Sequence, residues 1–303
     1  MPSVLPPACL RRNIGSIRPH WHSCLPMWSQ ADMKLTRNQK SWCWIAIWMI
    51  VAGASAETPG ADGSFPIQPH QAQYRVLRGG KEIGLLKAEL SQRADGLWHY
   101  RIESETTAWY LRVLGISTTE STWFDWRGGT ILPLTYHHVS REPGSDRYWQ
   151  HRFDWTAGVS QTRTHEGSLE IPLQPGTLDP LSLRLAASAA IHAQADDDRV
   201  GLQGLERPVL ERDKIEPQQY LWQDQESIRI DNRCYATQRF RRERKPGSSR
   251  NYDAWHAAEL GWLPVRLRHD DDGKAIVLEL TSIQSPHYQL PPPGACTPAD
   301  GED

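Results

Sequence analysis

The sequence predicts a mainly β fold, a curved antiparallel sheet or open β-barrel with one central helix at about 179–193. Three observations carry this: turn-forming pairs recur between runs of aromatic and β-branched residues, the runs alternate with period two, and one alanine-rich segment interrupts them. Gly79-Gly80, Asp95-Gly96, Gly128-Gly129, Ala157-Gly158, Asp231-Asn232 and Asp272-Gly273 each sit between two such runs, as hairpins require. Trp98, Tyr100 and Ile102 fall on one face; so do Trp149, His151, Phe153 and Trp155, then Tyr220, Trp222 and Ile228, then Leu263, Val265 and Leu267. Strand following strand without intervening helices gives an antiparallel meander and excludes a parallel α/β fold.

The interrupting segment starts at Asp179, which can N-cap a helix, with Pro180 suited to the first helical position and alanines behind it. Leu181, Leu185 and Ala189 form one stripe. The helix divides the strands into sets at about 70–165 and 205–285 and is expected to cross the sheet or plug one end. A shorter helical turn is expected at 107–114, where Trp109, Tyr110 and Val113 would cluster.

Ahead of the domain, the apolar run Trp42 to Ala56 is shorter than the roughly 20 residues a spanning helix needs. Lys34, Arg37 and Lys40 precede it after Met33, and Ala54-Ser55-Ala56 closes it in the A-x-A pattern. This order describes a secretory signal at 33–56, cleaved after Ala56, with residues 1–32 a disordered or non-native leader. The expected organisation continues with a linker at 57–69, one β-rich domain at 70–285 and a Pro-rich disordered tail at 286–303. Beyond Ala56 the 34 Lys and Arg fall to 28 and the 36 Asp and Glu to 35, a formal charge of −7. An acidic exported domain lacks the electrostatic footprint of a nucleic-acid binder. The basic run Arg239 to Lys245 reads as a solvated edge. Cys234 and Cys296 remain after cleavage and are able to pair in an oxidising compartment.

Several stretches resemble the secreted bacterial family called domain of unknown function 3108. They are Tyr74 to Gly84, Phe153-Asp154-Trp155, the helix start from Gly176 to Ser182, and Trp255 followed by Leu263-Pro264-Val265-Arg266 and Asp272-Gly273. The resemblance covers about residues 70–285 and implies a periplasmic, mostly antiparallel β-protein. It carries over no catalytic residues.

No nucleophile elbow, zinc-protease motif, Cys-x-x-Cys, Walker loop or dinucleotide fingerprint is present, and no catalytic residues, cofactor or metal are expected. A hairpin through Pro143-Gly144-Ser145-Asp146 would place His137 and His151 on one face. The acidic runs Asp196 to Asp198 and Asp270 to Asp272 are consecutive, which suits loops better than calcium spacing. Nine tryptophans follow Ala56, and concave aromatic surfaces bind acyl chains, peptides and sugar faces. Trp109, Tyr110, Leu111, Trp149, Trp155 and Trp222 are therefore the candidate ligand-binding residues. The expected protein is soluble and periplasmic once cleaved, and holds a lipid, an apolar small molecule or an extended segment of an envelope protein. A glycan hydrolase using Asp125, Asp154 or Glu226, or a partner protein pairing through an edge strand, are the alternatives.

Overall fold

The computed structural model describes residues 64–107, 117–142, 144–195, 204–243, 251–270, 275–294 and 296. Residues 108–114 of the expected helical turn, the acidic run Asp196 to Asp198, Asp271 and Asp272 of the other, and the signal segment therefore lie outside the described residues, as do Trp109, Tyr110 and Leu111. Fourteen described strands form one antiparallel sheet. The first set is β1 (His70–Arg78), β2 (Lys81–Gln92), β3 (Trp98–Thr106), β4 (Ser117–Arg127), β5 (Thr130–Glu142), β6 (Ser145–Asp154), β7 (Val159–Thr164) and β8 (Gly167–Pro172). After the helix α1 (Pro180–Ala195) come β9 (Leu205–Glu211), β10 (Lys214–Ile230), β11 (Arg233–Glu243), β12 (Asn251–Ala257), β13 (Leu263–Asp270) and β14 (Ile276–Gln284).

The spatial order runs β8 to β1 and then β14 to β9, so the chain leaves the middle of the sheet, reaches one edge, and re-enters from the other. Helix α1 packs against β4, β5 and β9. A flat sheet could not bring its edge strand β9 to the same helix as β4 and β5, so the sheet curls around α1. Consequently the helix is buried on almost every side: Leu181, Leu183, Leu185, Ala187, Ala189 and Ile191 all belong to the core. They join inward residues from both strand sets, including Tyr100, Phe124, Tyr136, Ile228, Tyr235 and Val265.

The helix start is built as its residues dictate. Asp179 Oδ1 accepts the N–H groups of Leu181 and Ser182 at 2.9 Å each, satisfying two otherwise orphaned donors. Its Oδ2 accepts the hydroxyls of Ser182 (2.6 Å) and of Thr122 on β4 (2.7 Å), which ties the helix to the sheet. The carboxyl is wholly buried, and burial pushes its pKa up to about 6 against the opposing pull of those four donors.

Edges β8 and β9 do not pair with each other. Instead Leu178 donates its N–H to Pro208 O (2.9 Å) and accepts from Leu210 N–H (2.8 Å), a parallel bridge on β9. Glu166 and Arg212 form an ion pair between the β7–β8 and β9–β10 turns. The sheet is thus an open barrel, stitched along a seam.

Three expectations are corrected. Residues 64–69 are not a free linker, since Phe65 and Ile67 are buried and Phe65 packs edge-on to Trp98 and Phe124. The described part of the tail is docked: Tyr288 is buried and its hydroxyl accepts from Gln68 N–H (2.8 Å), Gly294 N–H donates to Asn232 O (2.9 Å), and Cys296 is disulfide-bonded to Cys234. The basic run is not an edge, because β11 lies between β10 and β12. Arg239 pairs with Asp224 and Arg241 with Asp253 on neighbouring strands, so opposite charges across the ladder fix the register of that region.

Candidate functional site

A groove of about 790 Å³ opens along the seam, between α1, the β4–β5 hairpin, the β6–β7 turn and the start of β9. Its floor is the small-residue face of the helix, Ala186, Ala189, Ala190 and Ala193, whose short side chains leave the space unfilled. Trp126, Ile131, Leu132 and Trp155 form one wall; Leu178 and Leu205 form the other. The walls are held in place. Trp155 donates its indole N–H to Pro133 O (2.7 Å) and stacks on Phe153, while Trp126 packs on Phe65 with ring centroids 4.9 Å apart. Polar groups are few: Gln68, Thr130, His192 and Arg207 are among them, and among the described residues no carboxylate lines the groove. A volume in the range of small-molecule sites, mostly apolar walls and a few polar groups together suit an apolar chain with a polar end.

On another face of α1 the interior is polar. Arg184 projects into a cluster containing Tyr100, Glu120, Tyr136 and Tyr252. Burial alone would raise the Glu120 pKa, but His138, Arg184 and the Tyr136 hydroxyl (2.8 Å) hold it down to about 2. The His138 Nδ1 lies 3.9 Å from Glu120 Oε1, too long for a hydrogen bond. Nearby, His256 Nδ1 donates to Trp262 O (2.8 Å), leaving Nε2 to accept the Tyr220 hydroxyl (2.7 Å). Burial lowers the His256 pKa to about 4 and keeps the ring neutral.

Of the residues singled out from the sequence, Trp155 lies in the groove. Trp149 does not: it stacks on His138 with centroids 3.6 Å apart, at the margin of the core. Trp222 is 42% exposed, donates to Gln238 (2.8 Å), and lines neither the groove nor the polar interior, although Tyr220 and Ile228 of the same parity are buried; an irregularity in β10 follows it directly. His137 and His151 do not share a face. The β5–β6 register sets Glu142 against Ser145 and Tyr136 against His151, so His151 stacks on Tyr136, and burial lowers its pKa to about 3. The three carboxylates proposed for hydrolysis are separately employed. Asp125 pairs with Arg127, Asp154 accepts the N–H groups of Thr156 and Ala157 in the turn, and Glu226 accepts the Trp255 indole N–H (2.6 Å).

Trp126, the alanine face and Arg184 were not singled out. Trp126 sits beside the Gly128-Gly129 turn, the alanines read as helix formers with Ala189 alone placed on an apolar stripe, and Arg184 is a lone cation in an otherwise apolar helix, the one local signal that could have drawn attention to it.

Fold and groove define a β-barrel-like protein plugged by a helix, with an apolar cleft at the seam. Among solved structures the chain is similar to a beta-barrel-like protein of domain of unknown function 1849 from Brucella abortus. The identity is 10% and the TM-score 0.49, over 73% of this chain and 98% of that one. No family model and no curated protein matches the chain.

Proposed function

We propose that this protein is a non-catalytic, exported factor of the bacterial envelope that holds the apolar chain of a lipid, or of another small apolar molecule, in the seam groove. The observation that carries this reading is the groove itself: about 790 Å³, walled by Trp126 and Trp155 and floored by alanines. Burial of each methylene contributes about 0.8 kcal/mol, so an acyl chain gains affinity with length until the cleft is full. The signal pattern at 33–56 and the Cys234–Cys296 disulfide support an oxidising, periplasmic setting after cleavage at Ala56. Membership of the family of domain of unknown function 3108 belongs to the same reading.

Native mass spectrometry of protein drawn gently from its own periplasm, with the denatured mass beside it, tests this. A mature mass beginning at Glu57 with a co-purifying lipid supports it. Protein that stays empty and fails to take up added fatty acid refutes the binding reading. A second reading has one observation in its favour: Leu205 and Arg207 of edge strand β9 line the groove ahead of the Leu178 bridge, so an extended peptide could add there as a strand.

A further inference from the structure

Strand β9 brings a cation to the wall of the seam groove. Arg207 lines the groove beside Leu205, is exposed, and donates an Nη1 hydrogen to Glu206 O (2.8 Å). Among the described residues it has no carboxylate partner. Strand geometry explains this. Successive side chains point to opposite faces, so the adjacent Glu206 turns away from Arg207, and it accepts from Gln219 Nε2 instead (3.0 Å). Across the ladder Arg207 faces the neutral Gln218, and the carboxylate one step along the same face, Glu216, is paired with Lys214 (2.7 Å). β9 is an edge of the sheet, so no further strand supplies a partner from its other side. The groove does not supply one either: among the described residues its other ionisable side chain is His192, and no carboxylate lines it. In a chain with a formal charge of −7 beyond Ala56, a groove that carries a cation and no anion runs against the charge of the whole.

An uncharged apolar molecule would fill the space between Trp126 and Trp155 and leave Arg207 in water. A chain that ends in an anion would use both. An arginine at an apolar rim lays its methylenes along the wall and keeps its guanidinium at the surface, where it meets the polar end of an amphiphile whose chain lies inside. We infer that the groove selects an amphiphile with one anionic head group, a carboxylate or a phosphate, and that Arg207 binds that end. This rests on the groove reading above and adds the head group to it. The two sources share one chemistry, an oxyanion that the guanidinium fork can bind through two N–H donors. The pair stays exposed to solvent, so the head group adds about fivefold to the affinity at low salt, and less as salt screens it.

The test is calorimetric titration of the full mature protein with decanoate, decanol and decyl phosphate at about pH 8, where the carboxyl is ionised. All three are single ten-carbon chains, so differences among them report the head group. The anionic ligands are expected to bind about fivefold more tightly than decanol at low salt, and the advantage should shrink toward unity at about 1 M salt. Tighter binding of decanoate assigns a fatty acid, and tighter binding of decyl phosphate assigns a phosphate head group. Arg207→Gln should remove the advantage and Arg207→Glu should reverse it; Arg207 is exposed, and thermal melts of both variants check that the fold is kept. Decanol binding as tightly as both anions, or an advantage that survives in Arg207→Gln, overturns the inference and leaves the groove as a purely apolar site. Failure of all three to bind overturns the groove reading together with it.

Discussion

Asp179→Asn separates the two forces acting on the helix cap. Asparagine keeps the oxygen that accepts from Leu181 and Ser182 N–H, and its amide can donate to the Ser182 and Thr122 hydroxyls, so the cap geometry survives. What changes is the charge. The native carboxyl has a pKa near 6 in the fold, raised from 3.8 by burial. A raised carboxyl pKa favours the protonated form, so its contribution is fully present below pH 3.8 and is lost as pH rises through 6. The shift of roughly two units corresponds to about 3 kcal/mol. Urea unfolding of both proteins from pH 4 to 8 isolates this group, because every other titration cancels in the difference. The two should be nearly equal at pH 4, and the Asn variant should lead by about 3 kcal/mol at pH 8. A flat difference would refute the reasoning, and a lead for the native protein at pH 8 would show that four donors at a helix N-terminus outweigh burial.

The protein should also lose stability in mild acid through His151 and His256. Their folded pKa values of about 3 and 4 lie below the unfolded 6.5, so stability present above pH 6.5 is lost as pH falls toward 4. At pH 5 each costs about 2 kcal/mol, partly offset by Asp179; a Tm unchanged between pH 7 and 5 would contradict this. Ala190→Trp should fill part of the groove floor and lower acyl-chain affinity at least tenfold while leaving Tm within a few degrees, as calorimetric titration and thermal melts can check. Cys234→Ser should lower stability by up to about 4 kcal/mol, the chain-entropy value for a bridge spanning 62 residues, read from the urea midpoint under non-reducing conditions. Gly261→Ala should cost about 1 to 3 kcal/mol, because Gly261 has φ +62° and a Cβ there would lie 2.7 Å from the Tyr288 hydroxyl oxygen; an unchanged midpoint would show that Tyr288 yields freely.

Much of the fold was legible because the turns with glycine or Asp-Asn announce themselves. Gly79-Gly80, Gly96, Gly128-Gly129 and Gly158 all adopt positive φ between consecutive strands, and Asp231 does so at the β10–β11 turn. The turns at His165-Glu166 and Arg212-Asp213 carry no such pair, and Arg212 itself adopts φ 58°. Strands β7 to β9 were therefore blurred, the more so because β7 buries Ser160, Thr162 and Thr164 rather than apolar residues. Trp155 was legible through its alternation with Phe153. Its groove was not, since a cleft between Ala190 and Trp126 depends on how a curled sheet meets a helix, which no local spacing encodes. Trp222 misled because it shares parity with the buried Tyr220 and Ile228 and yet stands exposed beside an irregularity in β10. Docking of the proline-rich tail rests on long-range contacts of Tyr288 and Cys296, again beyond local pattern.

The central claim is that the seam groove receives an apolar chain, and tryptophan quenching by a brominated fatty acid tests it most directly. Trp126 and Trp155 wall the groove, so a bromine carried on a bound chain lies against their rings. The account predicts saturable quenching that disappears in the Trp126→Phe, Trp155→Phe double variant, although the other tryptophans remain. Quenching of equal size in the double variant, or none in the native protein at concentrations where the acid is soluble, would contradict it.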